Sequence, residues 1–197
     1  EWSEKADDYR GVTRAMLNIG MVQRSKGEFF KSLESLHQAE AACIRGNFVG
    51  YLANLYLSIG QVYSLIGEQD LAFENLHNAL RRSRNVVRYR IMTAAMEGLG
   101  DHAAAIGDTM EALCWYESSR QIARDARLAA QEGQSSAKAS SIYLMLGQLD
   151  AANDAAQVAV NLALRDHDTL TLGRAYHALG LVDLKEGRHQ AAVRNCG

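Results

Sequence analysis

The sequence predicts an all-α protein, a solenoid of about five stacked antiparallel helical hairpins. Three observations carry that prediction. The first is apolar spacing within residues 52–80. Leu52, Leu55, Tyr56, Ile59, Val62, Tyr63 and Ile66 recur three and four apart, Gly67 interrupts, and Leu71, Ala72, Phe73, Leu76, Ala79 and Leu80 resume the pattern. This is two amphipathic helices joined by a short break. The second is register. Steps of 40 from Gly27 reach Gly67, Gly107, Gly147 and Gly187. The same steps join Gly20, Gly60, Gly100, Ser140 and Gly180, then Ser32, Ala72, Ala112, Ala152 and Ala192, then Met16, Tyr56, Met96, Ser136 and Tyr176. A period of that length means stacked supersecondary units. The third is the absence of proline (Pro 0), which suits long unbroken helices.

Each recurring position has a physical reason. Gly27 and its counterparts fall where the first helix of a hairpin ends, and a left-handed residue suits that turn. Gly20 and its counterparts lie inside the first helix. A mid-helix glycine costs about 1 kcal/mol against alanine, so another backbone is expected to approach too closely there for a Cβ. The small residues Ser32, Ala72, Ala112, Ala152 and Ala192 let the second helix cross the first. Met16, Tyr56, Met96 and Tyr176 fill the wedge between hairpins.

In chain order, residues 1–7 are polar apart from Trp2, which either caps an apolar end or sits on the surface. Helices are expected over 8–26 and 29–45, a connector over 46–50, then helices over 51–66, 69–84, 88–106, 109–126, 132–146, 149–165, 168–186 and 189–196. The repeat units are 8–46, 49–86, 88–127, 130–166 and 168–197, forming a single repeat domain without an internal boundary. The first helix of the fourth unit carries Ser136, Ala139 and Ser140 where other units carry larger apolar residues or glycine. Thin packing is expected there, through repeat drift or as a hinge or ligand pocket. The chain stops inside its last helix without a polar capping element, so it is expected to be a fragment of a longer protein.

Composition narrows the function classes. The formal net charge of −2 gives no overall attraction to nucleic acid or anionic membrane. No apolar run has the length of a membrane span or a signal peptide. The three cysteines, Cys43, Cys114 and Cys196, have no pairing pattern, which points to thiols in a reducing cytoplasm. His37, His77, His102, His167, His177 and His189 form no ligand-spaced pair with one another or with cysteine, so neither metal nor cofactor is expected. There is no G-x-S-x-G elbow and no phosphate loop. The sequence therefore predicts a non-enzymatic protein without catalytic residues. The densest charge run, RRSRNVVRYR, supplies Arg81, Arg82, Arg84, Arg88 and Arg90. It could hold phosphate, nucleic acid or an acidic segment. Arg45, Arg84 and Arg124 all fall near ends of second helices, however, where cations complement the helix dipole. The run is kept as a secondary partner patch, and no nucleic acid is expected.

The recurring residues resemble the tetratricopeptide repeat. The second unit carries the pattern as Tyr56, Ile59, Gly60, Tyr63, Gly67, Ala72, Leu76 and Ala79. The first carries it as Met16, Ile19, Gly20, Gly27, Phe29, Leu36 and Ala39, and the fifth as Tyr176, Leu179, Gly180, Gly187 and Ala192. The family's usual repeat is 34 residues with a closing proline. The 40-residue unit here is similar to the longer variant found in bacterial regulators and peptide-binding scaffolds. The resemblance implies a right-handed superhelix whose inner groove is lined by first helices. The register then assigns to the groove Arg14, Leu17, Asn18, Met21 and Arg24; Asn54, Leu57, Ser58, Gln61 and Leu65; Ala94, Glu97 and Asp101; Gln134, Lys138, Ser141 and Met145; and Arg174, His177, Leu181 and Lys185. Amides pair with peptide backbone groups, and methionine adapts its shape to a partner. Leu17 and Met21 stand where the family's carboxylate clamp has Lys and Asn, so that mode of binding is not implied. The expected function is a protein- or peptide-binding scaffold, a sensory or assembly module of a larger bacterial signalling or transcription-regulating protein. The alternative is self-association into a homo-oligomer without a separate ligand.

Overall fold

Turns punctuate this chain more regularly than its helices do. The computed structural model describes the backbone of residues 2–85 and 87–196, and side chains of residues 8–85 and 87–195. The role expected of Trp2 and the side chain of Cys196 lie outside the described residues. Among the described residues ten helices follow one another: α1 (Trp2–Ser25), α2 (Phe29–Arg45), α3 (Val49–Ile66), α4 (Gln69–Asn85), α5 (Tyr89–Ala105), α6 (Thr109–Asp125), α7 (Ala129–Met145), α8 (Leu149–Asp166), α9 (Thr169–Lys185) and α10 (His189–Cys196). The all-α expectation is met, and most boundaries fall within one or two residues of those read from the sequence. Two starts differ. α1 begins at Trp2 rather than residue 8, and α7 at Ala129 rather than residue 132. Neither stretch contains a breaker, and both are rich in alanine, glutamate or lysine, so polarity alone gave no reason for the helix to stop.

The turn after each first helix is built on the expected glycine. Gly27, Gly67, Gly107, Gly147 and Gly187 all have left-handed φ, between 73° and 86°. At Gly67 the following amide, Glu68 N–H, donates back to Tyr63 O at 3.0 Å, the long bond of a Schellman ending. The turns between hairpins repeat the geometry without glycine. Asn47, Val87, Arg127 and His167, themselves 40 residues apart, have φ between 48° and 56°. The same backward bond follows each: Phe48 to Cys43, Arg88 to Ser83, Leu128 to Ala123 and Asp168 to Ala163. The sequence reading missed this second series because no residue type marks it.

Contacts divide the chain into two compact halves, Glu1–Gly98 and Leu99–Gly197. In the first half α1 packs on α2, α2 on α3 and α3 on α4, and α1 also reaches α3. The core joins Leu17, Leu36, Ala39, Cys43, Leu52, Leu55, Ile59 and Val62, with Met16 and Tyr56 packed at its edge as wedge residues. Gly20 shows why its position is small. A Cβ there would stand 2.7 Å from Leu36 Cγ and 3.2 Å from Ser32 O. The intruder is thus chiefly a side chain of the facing helix, with backbone second; the expected backbone clash is the lesser part. Ser32 is fully buried and its hydroxyl donates to Gly20 O at 2.7 Å.

In the second half α7 lies against α6, α8 and α9, and α9 against α8 and α10. Alanine dominates this core: Ala152, Ala156, Ala159, Ala175 and Ala178 pack with Leu144, Val160, Leu179 and Val182. Ser135, Ser136 and Ser140 of α7 are buried, and Ser141 is exposed. Ser135 shares a hydrogen bond with Ser119 at 2.9 Å, and Ser140 bonds Ala137 O at 2.8 Å. Ser136 is fully buried with no partner for its hydroxyl. The joint is built from small residues, as the sequence suggests.

Candidate functional site

First-helix residues assigned to the groove separate into three groups once side chains are placed. Some are interior. Leu17 and Ser58 are buried, Leu17 within the hydrophobic core of the first half. They are unavailable to a ligand, which corrects their assignment; Leu57 and Glu97 are buried as well.

A second group is engaged in the structure. Arg24 donates to the Gln61 side chain, joining α1 to α3, and its burial lowers the guanidinium's pKa. Lys138 Nζ lies 2.7 Å from Asp101 Oδ2 and stands 5.6 Å over the ring of Tyr116. Gln134 donates to Asp168 Oδ2 at 3.3 Å. That carboxylate caps α9 by accepting from Thr171 N–H at 3.1 Å and from its hydroxyl at 2.7 Å. The two bonds from Thr171 hold Asp168 below the ordinary aspartate pKa.

The third group is open. In the first half Arg14, Asn18 and Met21 are exposed along α1, and Asn54 is half-buried on α3. In the second half the open residues converge. A cavity of about 400 Å³ lies between α7 and α9, lined by Ser141, Leu144, Met145, His177, Ala178, Leu181, Leu184 and Lys185. Five of these eight, Ser141, Met145, His177, Leu181 and Lys185, carry the register expected for the groove. Leu144, Ala178 and Leu184 were missed. Each is one position from a named residue, and the cleft is wider than one helical row.

The chemistry of this cleft is simple. Its walls are apolar, and its polar groups sit at the edge. Lys185 Nζ donates to Leu144 O at 3.3 Å, which spans the mouth and leaves the ammonium with further donors. His177 and, a turn away, Arg174 are exposed and make no side-chain hydrogen bond or ion pair among the described residues. The α9 acid nearest in sequence, Asp183, is buried and taken up by Arg188 and Asn195. The site can therefore desolvate an apolar group while offering positive charge to an acidic or polar neighbour. Among the described residues there is no cluster of three His, Cys, Asp or Glu able to hold a metal, and no helix is long and apolar enough to cross a membrane.

The arginine run is a looser feature. Arg81 donates to Asn78 at 3.0 Å, and Arg82 lies over the Tyr56 ring at 5.3 Å. Arg84, Arg88 and Arg90 are exposed at the α4–α5 turn, and no acidic residue occurs between Glu74 and Glu97.

No protein-family model matches the sequence, and no curated protein matches it. Solved structures match in fold. A Rap protein complexed with competence and sporulation factor aligns with a TM-score of 0.76 at 16% identity, over 93% of this chain and 52% of that one. NprR in complex with its cognate peptide NprX aligns at 0.70 and 19%, over 95% and 54%. The nearly identical TPR-like repeats of a Podosopora anserina kinesin light chain align at 0.68 and 16%, over 92% and 90%. The chain spans about half the length of the Rap and NprR chains.

Proposed function

Taking the chain as a tetratricopeptide-like helical-repeat protein, we propose that it is a scaffold that binds a peptide or protein segment, and that the α7–α9 cleft is where the segment anchors. The observation that carries this reading is the cavity of about 400 Å³, apolar inside and edged by His177 and Lys185. That volume accepts one or two apolar side chains, and such sites fix orientation with a few polar groups at the margin. The likeness to a Rap protein complexed with competence and sporulation factor and to NprR in complex with its cognate peptide supports this class of ligand. The full Rap and NprR chains are about twice the length of this one, and a sensory or assembly role within a larger bacterial regulator is part of the proposal. The same reading makes the chain non-enzymatic and cytoplasmic; the free thiols of Cys43 and Cys114 support a reducing compartment.

The test is selection from a random heptapeptide library displayed on phage, followed by titration of the enriched peptide against the whole chain. The proposal expects enrichment of sequences with an apolar anchor beside an acidic residue, and weaker binding to Lys185→Met. Enrichment of nothing, or of peptides indifferent to changes around the cleft, would remove it.

A further inference from the structure

The turn between α4 and α5 gathers charge that its counterparts later in the chain cancel. Val87 N–H donates to Arg84 O at 3.3 Å, and Arg88 N–H donates to Ser83 O at 3.0 Å. The left-handed bend therefore puts Arg84, in the last turn of α4, on the same tight turn as Arg88 and Arg90 at the start of α5. Arg88 reaches across to α3: one of its terminal nitrogens would stand 3.9 Å from a Cβ on Gly50. Neither α3 nor α5 has an acidic residue in its first turn. The 40-residue register shows what is missing. Arg124, at the end of α6, pairs with Glu132 of α7 at 2.8 Å. One repeat earlier the same two positions are Arg84 and Met92, and Met92 is buried. Arg165, at the end of α8, has Asp166 at 3.5 Å. Arg84, Arg88 and Arg90 are exposed and make no side-chain hydrogen bond or ion pair among the described residues. The helix dipole accounts for Arg84 alone. Arg88 and Arg90 stand at the N-terminal end of α5, where positive charge opposes the dipole. The patch lies at an interior joint between two described helices, away from either end of the sequence.

We infer that this turn is the docking site for an acidic segment of a partner protein. Guanidinium groups grip carboxylates with two parallel hydrogen bonds, a geometry that lysine does not supply. The partner's composition follows from the rest of the turn. Val87 is 60% and Tyr89 45% exposed among the arginines, so the segment carries an apolar residue among its acids. Charge favours a short segment over a nucleic acid. The chain carries a formal −2, and the run from Arg81 to Arg90 holds five arginines and no acid, which leaves −7 on the remaining residues. A duplex repeats its charge at roughly every 1.7 Å of its length, and it runs past the patch into that acidic remainder. A short acidic segment ends with the patch.

The probe is a fluorescein-labelled decapeptide of Asp and Glu with one central Leu, titrated with the whole chain and followed by fluorescence anisotropy at about 50 mM and about 300 mM salt. Saturable binding that weakens with salt is expected. Arg84→Gln/Arg88→Gln/Arg90→Gln lowers the affinity by about tenfold or more, and Arg88→Gln alone by about threefold. The charge-matched Arg14→Gln/Arg165→Gln/Arg194→Gln, at three exposed arginines outside the run, stays within about twofold, as does Lys185→Met at the α7–α9 cleft. Circular dichroism confirms that the variants fold. Absence of saturable binding overturns the inference, as does an equal loss in the charge-matched variant or in Lys185→Met. So does tighter binding of a labelled oligothymidylate of the same charge, lost in the same arginine variants, which gives the turn to nucleic acid. Because these readouts use arginines of the α4–α5 turn and the peptide selection uses the α7–α9 cleft, failure here leaves the peptide-binding reading untouched.

Discussion

Lys138 Nζ sits 2.7 Å from Asp101 Oδ2, and Tyr116 donates its hydroxyl to the other oxygen of the same carboxylate at 2.7 Å. The lysine is held by a neighbouring first helix and lies over the Tyr116 ring. Lys138→Met is therefore expected to leave binding of a selected peptide within twofold. Its stability cost is expected below about 1 kcal/mol, because the carboxylate remains half-exposed to water. Calorimetric titration and urea denaturation check both halves. A tenfold loss of peptide affinity would put Lys138 back among the ligand-binding residues.

Two helical glycines separate packing from propensity. A Cβ on Gly100 would stand 2.5 Å from Tyr116 Cε1, and Tyr116 is buried and tethered to Asp101. Nothing lies within 4 Å of a Cβ on Gly11. Gly100→Ala is expected to destabilise by about 1–3 kcal/mol through overpacking. Gly11→Ala is expected to stabilise by up to about 1 kcal/mol through helix propensity. Opposite shifts of the denaturation midpoint confirm the pair.

Val87 holds a left-handed φ of 48°, and a branched side chain pays for that conformation. Val87→Gly is expected to stabilise by about 1 kcal/mol, since the left-handed region costs an ordinary L-residue roughly 1–2 kcal/mol and glycine's greater unfolded freedom returns part of it. Gly67→Val, at φ 86°, is expected to destabilise. Thermal unfolding of both variants reads the difference.

Ser136 buries a hydroxyl that no group in the structure satisfies. Ser136→Ala removes that hydroxyl while keeping a small side chain, and is expected to stabilise by roughly 1 kcal/mol. Ser119→Ala, which strips a partner from buried Ser135, is expected to destabilise. Equal losses for both would mean that Ser136 has a partner after all.

Asp168 makes the stability of the second half depend on pH. Its folded pKa is depressed by the bonds from Thr171, so its contribution is present above the unfolded value of about 3.9 and is lost as pH falls through the folded value. Asp168→Ala is expected to cost about 0.5–2 kcal/mol at neutral pH, the usual range for losing a cap. The gap between variant and parent narrows below about pH 4. Denaturation curves at both pH values test the sign.

The sequence made the fold legible because the constraints that shape it are local and repeated. A left-handed turn favours glycine, as at 27, 67, 107, 147 and 187, and a close crossing favours a small residue, as at 32, 72, 112, 152 and 192. What escaped had no such marker. Asn47, Val87, Arg127 and His167 share one backbone geometry under four unrelated side chains. The groove was half legible. Register found Ser141, Met145, His177, Leu181 and Lys185, which do line the cleft. It also named Leu17 and Ser58, which are buried, because helical period alone does not tell an inner face from a face covered by the neighbouring hairpin. The arginine run was legible as charge, and the structure adds that Arg84, Arg88 and Arg90 stay exposed.

Titration calorimetry of the library-selected heptapeptide against the parent chain and Leu181→Glu bears most directly on the α7–α9 cleft. The account predicts that a charge placed on the cleft wall lowers affinity at least tenfold, with the parent's circular dichroism spectrum retained. An unchanged affinity in a folded Leu181→Glu chain would contradict it.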